Sequence, residues 1–194
     1  YENVNKDELN EIELIHREYI LKNINNNNNL EQLNVILFNI YQDLKKDLQK
    51  FFNTTKNHNI FLKYSDIIAS YGEKISIQIF YFILLENDLV TKIITNNLIV
   101  TDSINTNAFP NFDLTQKNIE QFICPLLKDN KILLYRGFVG ISPEKEITTL
   151  GRSGSDFTAT ILGRYLKPKE IIIYTDVNGI LTADPRKVKK ANNI

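Results

Sequence analysis

The chain of 194 residues has no Met and no Trp, one Cys, two His, five Pro and seven Gly. A single Cys, Cys124, excludes an intramolecular disulfide. His16 and His58 stand apart from it, so no His/Cys cluster with zinc spacing exists, and no protein-bound metal site is expected. Cys124 falls in an apolar helical stretch and is expected to be a core residue rather than a nucleophile. Neither sign of charge dominates: 23 basic against 23 acidic residues leave no footprint for nucleic acid. No apolar run reaches the roughly 18 residues of a membrane span. The longest, Ile75 to Leu85, is broken by Ser76 and Gln78 and reads as a buried helix, so neither nucleic acid nor membrane is expected as a partner. The start shows no basic segment, apolar core and cleavage site in the order of a signal peptide. No Gly-x4-Gly-Lys-Ser/Thr run exists, which excludes a Walker-type phosphate loop. With Tyr1 first and no Met anywhere, the sequence reads as an excised or processed piece of a longer chain.

What is present is ordinary globular composition, 43% hydrophobic and 24% charged. Leu9, Ile12, Ile15 and Ile20 recur near helical spacing. Leu30, Leu33, Leu37, Ile40, Leu44 and Leu48 mark one face of a longer amphipathic helix. The run Asn25 to Asn29 between them is expected to be a loop, because Asn side chains compete for backbone hydrogen bonds. A third helix is expected over 64–86, with Ile67, Ile68, Ile75, Ile79 and Phe82 inward. Residues 98–101, 131–135 and 170–174 are short, apolar runs that read as strands. Residues 114–127 and 155–166 have helical period, the second with Ser155 as a possible cap. Strands separated by helices, each ending in a polar loop, argue one α/β domain with parallel strand pairs. Ligands of such sheets sit beyond the carboxyl ends of the strands. That rule expects Thr101–Asp102, Arg136–Gly140 and Thr175–Asp176 to share one crevice.

Three segments carry chemistry. Residues 148–156, Thr-Thr-Leu-Gly-Arg-Ser-Gly-Ser-Asp, form a glycine-punctuated loop running into a helix amino terminus, which offers N–H donors and a positive dipole end to an anion. Arg152 adds a planar fork for carboxylate or phosphate, and Asp156 stands in the first turn. An ordinary turn with Ser155 as cap is the plainer alternative. Residues 175–186 deliver Asp176 from a hydrophobic run to a loop, with Gly179 for a tight turn and Arg186 within reach of a phosphate. An Asp placed so is equally a simple turn former. Glu73, beside Gly72 inside an apolar helix, is either solvent-facing or paired with a cation, because an unpaired buried carboxylate is costly.

Together, Gly137-Phe138-Val139-Gly140, residues 148–159 and residues 175–186 follow, in order and spacing, the pattern of the aspartokinase family within the amino acid kinase superfamily. Gly72-Glu73 and Ile99-Val100-Thr101-Asp102 resemble their counterparts as well. The resemblance implies a three-layer α/β/α sandwich with a mainly parallel sheet, incomplete at both ends. It implies that residues 1–194 are part of one catalytic domain, without the family's amino-terminal Lys-Phe-Gly-Gly-Thr-Ser loop and carboxyl-terminal ACT domains, and inactive by itself. The implied reaction is ATP-dependent phosphorylation of the side-chain carboxylate of L-aspartate, with Mg2+, at the first step of lysine, threonine and methionine synthesis. By the same resemblance Asp156 is catalytic, organising active-site lysines. Glu73, Arg152, Ser155 and Phe138 bind the amino acid, Arg152 through a carboxylate and Glu73 through the ammonium. Thr175, Asp176, Leu181 and Arg186 contact the nucleotide. Leu181 stands where many relatives carry an aromatic residue, and Ser153 where Gly is frequent. A cytoplasmic homo-oligomer is implied. Fusion of the parent to homoserine dehydrogenase, or a non-catalytic domain of the same fold, are the alternatives.

Overall fold

The computed structural model describes residues 6–53, 57–129, 131–174, 181–184 and 187–192. Three long helices come first: α1 (Lys6–Asn23), α2 (Asn27–Asn53) and α3 (His58–Glu86). The amphipathic pattern of α2 is realised, with Leu33, Leu37, Ile40 and Leu44 buried. They meet Ile75, Ile79 and Phe82 of α3, and Leu9 and Ile20 of α1, in one hydrophobic cluster. In α1 the expected face is only half right, since Ile12 and Ile15 are 46% and 58% exposed. At about 100° per residue, Ile20 lies within about 20° of Leu9 around the helix, whereas Ile12 and Ile15 are rotated about 60° and 120° away from it.

The Asn run is not a loop throughout. Residues 24–26 are irregular, but Asn27, Asn28 and Asn29 form the first turn of α2. The Asn26 side chain accepts from the Asn28 and Asn29 amides at 3.0 and 3.2 Å, and so caps the helix. The same capping chemistry that makes Asn a loop former here starts a helix. Asn57 and Asn111 do likewise, accepting from Ile60 N at 3.3 Å and Leu114 N at 3.0 Å.

Helix α3 is, by length and mean hydropathy, apolar enough to cross a bilayer, which no uninterrupted apolar run indicated. Here it is the central helix, packed on α2 and on the strands. The strands are short: β1 (Thr91–Ile93), β2 (Ile132–Leu134), β3 (Val139–Ile141) and β4 (Ile147–Thr149). β1 and β2 pair in parallel, Thr91 opposite Ile132. β3 and β4 form an antiparallel hairpin, Val139 opposite Thr149. The extended segment 98–101 lies parallel to β3, with Thr101 N–H donating to Ile141 O at 2.9 Å and Ile141 N–H to Ile99 O at 3.0 Å. Helices α4 (Phe112–Phe122) and α5 (Gly154–Leu166) complete the regular elements of the described residues, with a 3₁₀ turn at Cys124–Asp129. Ile119 of α4 and Ile161 of α5 pack with Ile94, Leu98, Ile99 and Leu150 in a second cluster. The strands thus lie between α3 and the α4/α5 pair, the layering expected of an α/β/α sandwich.

Two expectations are corrected. Residues 170–174 form no strand: Ile171 to Ile173 are about half exposed and Tyr174 is 91% exposed. A β-branched run becomes a strand only where a neighbouring edge offers hydrogen bonds, and among the described residues none pairs with this one. Cys124 is exposed in the 3₁₀ turn rather than in the core, because Pro125 ends the α-helical register that would have turned it inward.

Candidate active site

The anion loop links β4 to α5. Gly151, at φ +72°, makes the left-handed turn out of β4. Ser153 follows in the same backbone region at φ 59°, at the cap position of α5, and makes no side-chain cap bond. Ser155 therefore does not cap this helix, contrary to the sequence expectation. It lies inside the first turn, and its hydroxyl donates to Glu73 Oε1 across 3.1 Å. The Gly154 amide donates to Gly151 O at 3.1 Å, and the amides of Ser155 and Asp156, which no side chain caps, are left for a ligand.

Phe138 adds a third left-handed residue, φ 67°, a conformation that costs a non-glycine residue on the order of 1–2 kcal/mol. Its surroundings over-determine it. The Phe138 amide donates to Thr158 Oγ1 at 3.0 Å, and its carbonyl accepts from Leu150 N at 2.9 Å. Thr158 in turn donates to Gly154 O at 2.8 Å. A side chain on Gly154 would come within 2.7 Å of the Phe138 ring, so the helix terminus and Phe138 approach as closely as glycine permits. Strained backbone held by several partners is a mark of functional sites.

Phe138 and residues 151–156 line a cleft of about 600 Å³, with Ala69, Gly72, Glu73 and Ser76 of α3 on the other wall. Glu73, Phe138, Arg152, Ser155 and Asp156, taken from three distant parts of the sequence, all line it. Glu73 is half-buried, while Arg152 and Asp156 are exposed. Among the described residues, Arg152 has no carboxylate within ion-pair distance, and no group of three or more His, Cys, Asp or Glu could hold a metal ion.

Other expected residues fall elsewhere. Thr175, Asp176 and Arg186 lie outside the described residues. Leu181 is described but does not line this cleft. Thr101 and Asp102 do not share it either. Thr101 is buried, its hydroxyl 2.6 Å from that of Thr148. The Asp102 carboxylate accepts from the Ile104 and Phe109 amides and so shapes its own loop. A polar residue at a strand end here serves the loop before any ligand.

Sequence reasoning missed Asp66. It is 1% exposed on α3, two turns before Glu73, and accepts hydrogen bonds from Asn105, Thr106 and Thr149. The available signal was a carboxylate on the apolar side of a helix, on the face that also carries Ser70 and Glu73.

Comparison with known proteins places this geometry. Residues 14–194 match the amino acid kinase family. The chain is 39% identical over 132 residues to the aspartokinase of Geobacillus stearothermophilus, covering 66% of this chain and 31% of that one. It is 35% identical over 130 residues to bifunctional aspartokinase/homoserine dehydrogenase 2 of Arabidopsis thaliana, covering 66% and 14%. Escherichia coli aspartokinase III, solved with aspartate and ADP in its R-state, superposes with a TM-score of 0.80 at 28% identity, over 97% of this chain and 40% of that one. The same enzyme with lysine and aspartate in its T-state gives 0.62 at 25% identity, over 91% and 43%. The chain thus spans 14% to 31% of the length of these curated relatives. Matched over nearly its whole length and folded as the family's sandwich, the chain belongs to the amino acid kinase family.

Proposed function

We propose that the protein carrying this chain transfers the γ-phosphoryl group of ATP to the side-chain carboxylate of L-aspartate. The observation that carries this reading is the convergence of Glu73, Arg152, Ser155 and Asp156 on one cleft at an uncapped helix terminus. Arg152, without an ion-pair partner among the described residues, holds a carboxylate of the amino acid in a bidentate grip. Glu73, fixed by the Ser155 hydroxyl, faces the α-ammonium. A carboxylate at one wall and a guanidinium at the other match a zwitterion and discriminate against a simple dicarboxylic acid.

The reaction needs no proton. A side-chain carboxylate oxygen of aspartate bonds to the γ-phosphorus as the bond from that phosphorus to the β,γ-bridging oxygen breaks, giving 4-phospho-L-aspartate and ADP. Both reactants are anions, so the protein's task is alignment and neutralisation. Backbone N–H groups of the α5 terminus and Arg152 supply positive potential, and Asp156 orients cationic side chains around the phosphoryl group. The described residues offer no acidic cage for a metal, which fits magnesium carried on the nucleotide phosphates. When bound it supplies neutralising charge. Thr175, Asp176, Leu181 and Arg186 are the proposed nucleotide contacts. The same reading gives a cytoplasmic homo-oligomer at the first step of lysine, threonine and methionine synthesis, with residues 1–194 as part of one catalytic domain.

The test is aspartate-dependent ADP release by the full-length protein, with glutamate and succinate as competitors. Arg152→Ala is expected to lower kcat/KM for aspartate about 10³-fold, the equivalent of roughly 4 kcal/mol. Absence of aspartate-dependent release from the wild-type enzyme overturns the assignment.

A further inference from the structure

The group that the proposed mechanism leaves unused is the buried carboxylate of Asp66. It sits within the molecule at 1% exposure, with three donors around it. Asn105 Nδ2 donates to Oδ2 at 2.8 Å. The Thr106 amide is shared between the two oxygens, at 3.0 Å from each. The Thr149 hydroxyl donates to Oδ1. An acceptor-only carboxylate takes all three bonds as they stand, whereas an amide keeps them only if the Thr149 hydroxyl turns round to accept from its NH₂ arm.

The partners matter more than their number. Thr149 is the last residue of β4, two before Gly151 and three before Arg152. Thr106 is itself in the left-handed region at φ 66°. Residues 105–107 form the surface on which Gly151 rests: a side chain at Gly151 would lie 2.5 Å from Asn107 Oδ1 and 3.2 Å from Thr106 O. The Ala108 amide donates back to Thr149 O at 2.8 Å, closing the unit. Asp66 thus grips both the strand that launches the anion loop and the segment that backs it. Two neighbours on α3 act along the same line. Lys63 pairs with Glu146 just before β4, and Glu73 accepts from Ser155 just after Arg152.

We infer that Asp66 is a positioning residue: through Thr149, Asn105 and Thr106 it sets the backbone from which Arg152 reaches the substrate carboxylate. It touches no substrate, so it acts on binding geometry rather than on the reacting atoms. This rests on the aspartate reading above for the identity of the ligand, and on the structure alone for the coupling of Asp66 to the loop.

The experiment compares Asp66→Asn, Thr149→Val and Leu33→Ala in the full-length protein, in two arms. In the kinetic arm, Asp66→Asn is expected to raise KM for aspartate about 10- to 100-fold, the scale of a small misplacement of a clamp, with KM for ATP changed less than about 2-fold. Thr149→Val, which keeps the shape and removes one donor, shifts aspartate KM in the same direction by less, and stands in if Asp66→Asn does not fold. Leu33→Ala lowers stability and leaves both KM values alone. In the second arm, hydrogen exchange without substrate is expected to speed up at Thr106, Ala108, Leu150 and Gly154 in Asp66→Asn, with α2 protected as in wild type. An unchanged aspartate KM in folded Asp66→Asn, an equal rise in both KM values, or exchange raised evenly along the chain overturns the inference. Should the wild-type enzyme release no ADP with aspartate, the functional reading fails, and the exchange arm still decides the role of Asp66.

Discussion

Helices α1 to α3 bury Leu33, Leu37, Ile40, Leu44, Ile75, Ile79 and Phe82 against one another. The region from residue 98 to residue 158 buries Thr101, Thr115, Ser142, Thr148, Thr149 and Thr158 among its apolar residues. Each of these hydroxyls is bonded. Thr115 accepts from Val100 N at 3.1 Å, Thr158 from Phe138 N at 3.0 Å, and Ser142 from Glu146 N at 3.3 Å. Thr101 meets Thr148, and Thr149 meets Asp66. Apolar packing is strong but non-directional, and cores of that kind accept repacking if volume is kept. Hydrogen bonds fix orientation and are expensive to leave unmade. The helical region supplies bulk stability and, through Gly72 and Glu73, one wall of the cleft, while the strand region fixes the loop opposite it.

The largest effect that sharpens this contrast is expected at Leu33, which is fully buried. Leu33→Ala removes side-chain volume from the first cluster and should cost about 2–5 kcal/mol, depending on how far the neighbours collapse. Urea denaturation reads it as a lower midpoint. Leu33 is on α2, which lines none of the cleft, so substrate affinity of the folded fraction should stay at its wild-type value. A shift in affinity as large as that of an Arg152 variant would break the comparison.

A change without loss of volume should have a smaller effect, and in the other region. Thr101→Val keeps the shape of the side chain but strips the bonds to Thr148 Oγ1 and to Asp102 O. Thr148, 1% exposed, is then left with an unpaired hydroxyl. The cost should be about 1–3 kcal/mol. Thr101→Val together with Thr148→Val should recover part of it, since two apolar partners of the same shape leave nothing unpaired. Denaturation midpoints of the two single variants and the double variant measure the coupling, and simple additivity would show that the hydroxyl pair is not what holds the strands together.

The same contrast explains what the sequence made legible. The period of Leu33, Leu37, Ile40 and Leu44 announces its own buried face, because each residue's neighbours lie three or four positions away. The anion loop was legible for a different reason. Gly151, Arg152, Gly154 and Ser155 fall in one short stretch of the sequence, and their chemistry is local. What stayed hidden depends on separation. The donors around Asp66 come from positions 105, 106 and 149, and nothing local in the sequence links 66 to 149. The left-handed backbone of Phe138 and Ser153 was hidden too, because neither residue type advertises it. Residues 170–174 misled for the opposite reason: their composition is that of a strand, but strand formation is decided by a neighbouring edge that composition does not contain.

The smallest effect expected tests whether the helical region is free of directional pins, and Glu86 shows that it is not. Its carboxylate, at the end of α3, accepts from the Asn25 and Asn26 amides at 2.9 and 3.0 Å and from Asn29 Nδ2 at 3.2 Å. These bonds, that of Asn25 first, hold its pKa below the ordinary value of 4.5. Between the two values the unfolded chain binds the proton more readily, so stability rises with pH there. The contribution is fully present above 4.5 and is lost as pH falls through the lowered value in the folded protein. Glu86→Gln removes this titration while keeping an acceptor. Denaturation midpoints of wild type and Glu86→Gln, followed from about pH 7 to about pH 3, should differ most at neutral pH and converge on acidification. A gap that stays constant with pH would mean that the joint between α1 and α2 is held by shape alone. In that case this joint would be as non-directional as the leucines beside it, and the polar pins of the helical region would be those of Tyr71 on Asp47 and of His16 with Tyr41.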